Sequence, residues 1–271
     1  LSIRGGGIDS PRPASQRAAA FILTAAMLTT LTAPAFAKTW DIEKGDITVK
    51  AGETGNDVTQ NNVTTKNDTN TIITNQETDT ASSNTVTIDA GNDKVEVTLK
   101  DVNIDTSKQS KAAVSVTGSG DTTIELDGDN ELKSGAGHAG LEHNKTDTSG
   151  ELTIQDKDNN GSLEAAGGFK GAGIGSAVSN DAQVKITGGN ITATSDDWGA
   201  GIGSGSDGTA YVEITGGEIN ATGGYLGAGI GGGCNGSGNV TISGGTITAA
   251  GGDGAAGIGG GYYNGATVTI T

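Results

Sequence analysis

Arginine is absent after Arg17, and the only histidines are His138 and His143. Without arginine there is no guanidinium fork for a phosphate or carboxylate. The 16 Lys and Arg together are outnumbered by 32 Asp and Glu, for a formal charge of -16. Residues 1–37 hold three Arg and one Asp, a net +2, so removing them lowers the charge to -18. Such a surface repels nucleic acid and anionic lipid, and neither is expected as a partner. Cys234 is the single cysteine, which excludes a disulfide framework and a cysteine-based zinc site. Aromatics make up 3 % of the chain and prolines number 3, so a core of large side chains is excluded as well.

What the chain has instead is glycine, 48 of 271 residues, set in a fixed period. Gly-Ala-Gly-Ile-Gly runs from Gly171 to Gly175, Gly199 to Gly203 and Gly227 to Gly231, with Ala255 to Gly259 as a variant. The central isoleucines, Ile174, Ile202, Ile230 and Ile258, lie 28 apart in the chain. The same spacing relates Val184, Val212, Val240 and Val268, and also Ile186, Ile214, Ile242 and Ile270. Ile191, Ile219 and Ile247 form a fourth column. Val184/Ile186 and Ile191/Ala193 alternate with period two and mark short strands. Gly188-Gly189 between them marks a corner, and a third strand centres on Ile174. Three strands and three corners predict one coil of a right-handed parallel β-helix, an all-β solenoid with coils about 4.8 Å apart. Each Ile then stacks on its copy, burial contributing roughly 1.5–3 kcal/mol per side chain.

Upstream the repeat is weaker. The step from Ile154 to Ile186 is 32 and not 28, the extra four falling in Asp156-Lys157-Asp158-Asn159-Asn160-Gly161. Leu126, a step of 28 before Ile154, reads as its copy, and Leu99, a step of 27 before Leu126, as the next. Ile47/Val49, Ile72/Ile73 and Val86/Ile88 predict shorter, irregular coils, and the stretch Asn56 to Asn84, rich in Asn, Asp and Thr, is expected to carry a surface loop. At the start, Arg12 and Arg17 precede the apolar stretch Ala18 to Leu31 and an Ala35-Phe36-Ala37 cleavage pattern, which together read as an export signal. The stretch is too short and Thr-rich for a comfortable span, so no membrane insertion is expected after cleavage. Residues 1–11 read as upstream readthrough or a fragment boundary. The expected organisation is an export segment at 1–37, an N-terminal cap with irregular coils at 38–110, and regular coils at 111–271. The chain stops on Val268-Thr269-Ile270, the first strand of a new coil, which predicts continuation past Thr271.

Trp40-Asp41-Ile42 with Gly45-Asp46-Ile47-Thr48-Val49, the Leu126-Asp127-Gly128 and Leu152-Thr153-Ile154 coils, and the Ile-Thr-x-Gly-Gly-x-Ile coils resemble the secreted β-helical repeat proteins of gut Firmicutes. Those are described as carbohydrate-binding domain-containing or cell-surface proteins. The resemblance covers most of residues 39–271. It implies an extracellular, often wall-attached protein that contacts a polysaccharide or cell-wall glycan, and it supplies no catalytic motif.

Candidate chemistry sits in the corners. Phe169, Trp198 and Tyr225 precede their central Ile by five, four and five residues. Stacked coils set them in a row beside Asp196 and Asp197, a pattern suited to a sugar platform with rings on CH faces and carboxylates on hydroxyls. The competing reading is that the rings shield a glycine-rich corner and that the Asp doublet is solvated. Asp156, Asp158 and Asn160 with Gly161 match the first half of a calcium loop. The acidic residue such a loop ends on is replaced by Gly167, so Ca²⁺ would be held weakly, and an Asx-rich turn explains the same residues. Cys234 shares its place with Val178, Ser206 and Tyr262 and reads as an incidental thiol. A lyase of β-helical type needs a basic residue, usually arginine, and a hydrolase needs paired carboxylates. The expectation is therefore a non-catalytic surface module that binds glycans or adheres, with no required cofactor. A polysaccharide lyase or hydrolase, and a structural stalk without ligand, stand as alternatives.

Overall fold

The computed structural model describes residues 36–271; most of the expected export segment lies outside the described residues. These residues form a parallel β-solenoid in which three columns of strands run side by side along the stack. The first column holds β2 (Ile47–Ala51), β5 (Val86–Asp89), β8 (Val114–Thr117), β10 (Leu141–Lys145), β13 (Ile174–Gly175), β16 (Ile202–Gly203), β19 (Ile230–Gly231) and β22 (Ile258–Gly259). The second holds β1 (Phe36–Asp41), β4 (Val63–Thr74), β6 (Val95–Lys100), β9 (Thr122–Lys133), β11 (Leu152–Gln155), β14 (Asp181–Ile186), β17 (Ala210–Ile214), β20 (Gly238–Ile242) and β23 (Ala266–Ile270). The third holds β7 (Asn103–Asp105), the end of β9, β12 (Gly161–Gly167), β15 (Asn190–Ser195), β18 (Glu218–Thr222) and β21 (Thr246–Ala250).

The periodic residues stack as the spacing predicts. Ile174 pairs with Ile202, Ile202 with Ile230 and Ile230 with Ile258. Ile186, Ile214, Ile242 and Ile270 form a second register line, and Ile191, Ile219 and Ile247 a third. Alternation puts these side chains inside, where Ile186, Ile202, Ile214 and Ile230 have no exposed surface. The last coil has a neighbour on one side only, and Ile270 is 66 % exposed. The glycine after each central Ile has its own reason. Gly175, Gly203 and Gly231 have φ between 132° and 137°. A Cβ on any of them would overlap the carbonyl oxygen of the glycine in the next coil. Only glycine lets neighbouring backbones approach this closely at that dihedral.

One expectation for the first half needs correction and another needs narrowing. Leu126 is not the copy of Ile154: the strand register pairs Ile124 with Ile154, and Leu126 with Leu99. β9 crosses from the second column into the third without a break, pairing with β6 and then β7. An insertion between β10 and β11 lengthens the next coil, so the true step, from Ile124 to Ile154, is 30. The stretch from Asn56 to Asn84 does carry a loop, but a hairpin strand precedes it. β3 (Asn56–Gln60) runs antiparallel to both β2 and β4, turning at Asn61-Asn62 with φ of 53° and 62°. Two consecutive left-handed residues are the signature of a tight hairpin turn, and Asn tolerates them. Asn56 is buried, its Nδ2 donating to Thr71 Oγ1 at 2.9 Å and to the Glu96 carbonyl at 2.8 Å. Only the segment 75–85 is loop, and Ser82 still bridges to Ile104. Near this hairpin Asp68 is buried and accepts from Trp40 Nε1 at 2.8 Å and from Lys38 N at 3.1 Å, fixing β1 on β4.

Candidate functional site

Phe169, Asp196, Asp197, Trp198 and Tyr225 all lie on the corner between the third and first columns. The two-residue strands of the first column make this corner close to the one that follows. Ser206 N donates to the Lys170 carbonyl at 2.9 Å, Cys234 N to that of Trp198 at 2.7 Å and Tyr262 N to that of Leu226 at 3.0 Å. The aromatic corner is thus fixed by backbone bonds from its neighbour, which repeat every coil.

The rings do not form a row of three. Phe169 and Trp198 pair with centroids 5.8 Å apart and planes tilted by 43°. Lys170 sets its ammonium 4.5 Å from the Trp198 centroid and 5.3 Å from that of Phe169. Tyr225 stands apart from this pair, and its hydroxyl lies 3.3 Å from Asp253 Oδ2 in the next coil. The period explains the split. Phe169, Asp197, Tyr225 and Asp253 are 28 apart, whereas Trp198 occupies the line of Lys170 and Leu226. The one-residue offset brings Trp198 against Phe169 and puts Asp197 between Phe169 and Tyr225 along the stack.

Beside the ring pair runs a groove of about 440 Å³, lined by Phe169, Asp196, Lys133, Ser107, Thr194 and Ser195 among others. Asp196 is exposed at its edge, while Asp197 is outside the lining, so the structure separates the doublet. Lys133 is ion-paired with Glu131, which pulls its ammonium above the ordinary lysine value through that hydrogen bond. Asp207, on the neighbouring corner, is held below the usual carboxylate range. Asn235 Nδ2 donates to it at 3.0 Å, Ser206 Oγ at 2.8 Å, and the Lys170 charge adds to both. Cys234 is buried, and burial pushes its thiol up, which leaves it a poor nucleophile.

The calcium pattern lies in a turn that one of its own carboxylates closes. Asp156 is buried, and its two oxygens accept from Asn160 N at 3.2 Å and Gly161 N at 3.0 Å. Asn160 turns its Nδ2 towards Asp127, at 3.2 Å. Asp156 is therefore engaged in closing the turn, whereas the Asn160 side-chain bond uses Nδ2 and leaves its Oδ1 and the Asp158 carboxylate as the remaining oxygens of the pattern. Among the described residues no group of three or more His, Cys, Asp or Glu is placed to hold a metal. No helix among them is long and apolar enough to cross a membrane.

Sequence reasoning passed over two features. His138 Nδ1 lies 2.8 Å from Glu142 Oε2, and this carboxylate also accepts from Ala139 N and Asn144 Nδ2. Glu142 pairs with Gly175, so it stands where the regular coils need glycine. His143 is buried and donates from Nδ1 to the Gln183 carbonyl at 3.0 Å. The available signal was the degenerate Gly137 to Leu141 copy, whose departures from the motif fall beside these residues. The second feature is a groove on the outer face of the second column, around Tyr211. Its signal was Tyr211 itself, the one aromatic in the line Gln183, Tyr211, Asn239, Thr267.

Four segments, residues 159–178, 184–206, 212–234 and 240–262, match the family model described as Beta helix repeat. Each of the last three begins in the second column and ends on the corner after the first, so the matched unit is one coil. No curated protein and no solved structure matches the chain.

Proposed function

We propose that this β-helical repeat protein is a non-catalytic extracellular module that binds a polysaccharide or cell-wall glycan at the Phe169–Trp198 corner. The supporting observation is the half-exposed ring pair beside the 440 Å³ groove. Aromatic faces take the CH faces of a pyranose, and the hydroxyls and charges of Thr194, Asp196 and Lys133 suit its hydroxyl groups. Backbone bonds from the neighbouring corner fix the main chain that carries both rings before any ligand arrives, which lowers the ordering cost of binding. Export and display at a cell surface follow from the N-terminal segment and the acidic, arginine-free surface. The absence of catalysis is inferred from the separated Asp196-Asp197 doublet and from the burial of Glu142 beside His138.

The test is a polysaccharide pull-down and affinity electrophoresis on the full chain and on Trp198→Ala. Binding to at least one glycan, weakened tenfold or more by the substitution with circular dichroism unchanged, supports the reading. A folded protein that retains no glycan at all points to a structural stalk. Release of reducing or unsaturated sugars would make it an enzyme.

A further inference from the structure

A flat solenoid face becomes a groove only where something stands up beside it, and Lys145 at the end of β10 and Glu151 just before β11 do this on the second column. β10 runs past the end of a normal first-column strand, and Asn144 and Lys145 pair antiparallel with Ala182 and Asp181 of β14. Two side-chain bonds pin the end of β10: His143 Nδ1 donates to the Gln183 carbonyl at 3.0 Å, and Asn144 Oδ1 accepts from Ala177 N at 2.8 Å. The groove beside it has a volume of about 300 Å³. Its floor carries Gln183, Tyr211 and Asn239 on successive strands, with Glu213 and Thr241 on the adjacent line and Glu151 at the rim.

The charges in this groove balance. Lys185 pairs with Glu213 at 3.2 Å, and Glu151 is the next charge acting on that ammonium. Lys145 reaches over from the end of β10 to 5.2 Å from the Tyr211 centroid. Two carboxylates thus face two ammonium groups, and no net charge is left to select an ion. What remains is one aromatic ring, 40 % exposed, flanked by two amides and a hydroxyl at strand spacing, about 4.8 Å per rung. Amides and hydroxyls both donate and accept, and a ring offers an apolar face. A ligand complementary to that set is uncharged, rich in hydroxyls, and longer than one rung.

We infer that this groove is a second binding site, separate from the Phe169–Trp198 corner, for a neutral oligosaccharide lying across β14, β17 and β20 over Tyr211. The inference extends the glycan-binding reading but rests on different residues, so either can fail alone. Uronate oligomers are disfavoured, because with Lys185 already paired to Glu213 and the groove's charges balanced no net positive charge is left to meet their carboxylates.

The experiment is calorimetry of the full chain with cellohexaose, xylohexaose, mannohexaose and hexagalacturonate. Wild type is compared with Tyr211→Ala, Asn239→Ala and Trp198→Ala, each checked by circular dichroism. Tyr211→Gln serves as a second variant, because Gln183 already fills that place one coil earlier. The expected result is that a neutral hexasaccharide binds and that Tyr211→Ala or Tyr211→Gln weakens it at least tenfold. Asn239→Ala should weaken it severalfold, and the groove component should persist in Trp198→Ala. Binding lost in Trp198→Ala but untouched at Tyr211 and Asn239 overturns the groove site and leaves the corner standing. Loss at Tyr211 alone does the reverse. No binding of any neutral hexasaccharide, or tight binding of hexagalacturonate that needs Tyr211, also overturns it.

Discussion

The coils before β10 and those after it share a period but not a cross-section. Val86 pairs with Val114 and Ile202 with Ile230, the same step along the chain in both cases. Yet the early first-column strands point two large side chains inward, Ile47 and Val49, Val86 and Ile88, Val114 and Val116. The later ones point in a single Ile. The second inward place can be followed along the stack: Val49, Ile88 and Val116 in register, then His143. One residue past the paired glycines it continues as Ser176, Ser204, Gly232 and Gly260. Apolar residues give way to His, then to buried serines that bond their own corner. Ser176 Oγ donates to the Asn180 carbonyl and Ser204 Oγ to that of Gly208. The lesson is that a repeat length does not fix the core. In the first column the early strands are held by side-chain volume, and the later ones by glycine backbones brought too close for any Cβ.

That contrast can be broken at glycine. Gly203→Ala should cost about 3 kcal/mol or more, since the new methyl overlaps the Gly231 carbonyl and the dihedral is unfavourable for any other residue. Gly91→Ala, among the early coils, should cost only about 1 kcal/mol. Gly91 also has a positive φ, of 59°, but a Cβ there meets nothing within 4 Å. Urea unfolding of the two variants reads the difference. Equal losses would mean that the later coils are not held by close backbone approach.

The same contrast explains how much of the molecule could be read from its residues. Where close packing demands glycine, the motif repeats without drift, and Ile174, Ile202, Ile230 and Ile258 announce their own register. Where side-chain volume does the holding, Val, Ile and Leu interchange and the chain tolerates insertions. The Leu126–Ile154 assignment failed there because the regular step and the true one differ by two positions. A shift of two leaves every side chain on the same face, so alternation could not reveal it. The β3 hairpin was hidden because its Asn and Thr residues resemble loop composition, while Asn56 spends its polar atoms inside. At the candidate site the corner was legible from the period, but ring contact was not. Whether Trp198 meets Phe169 or Tyr225 depends on a one-residue offset in a corner whose path no periodicity describes. The Tyr211 groove depends on Lys145 and Glu151 being brought beside Tyr211, which is a fact of three dimensions.

His143 marks the border between the two regions and gives a pH test of it. Burial lowers its pKa below 6.5, against which the bonds to the Gln183 and Gly150 backbone act only in part. The folded state therefore binds fewer protons than the unfolded one as the pH falls past the unfolded value. Stability from this group is complete above about pH 6.5 and is lost on acidification towards the lower folded pKa, with a slope of at most about 1.4 kcal/mol per pH unit. His143→Gln should remove that component from the pH dependence of the urea midpoint between pH 7 and 5. An unchanged slope would show that the border tolerates a charged ring, and the two regions would then differ less than their side chains suggest.

The smallest effect belongs to the outer face of the regular coils. Lys185 and Glu213 pair across β14 and β17, but both side chains are substantially exposed, at 31 % and 45 %. Water screens such a pair, and holding two long side chains in one geometry costs entropy. Glu213→Gln should therefore change unfolding stability by less than about 0.5 kcal/mol, and the change should fade at about 0.5 M salt, where screening reaches only about 4 Å. A loss near that of Gly203→Ala would mean that outward charges, and not the interior glycines, hold the later coils together. If stability is unmoved while the affinity of the Tyr211 groove changes, Glu213 is set there for a ligand, because the fold does not need it.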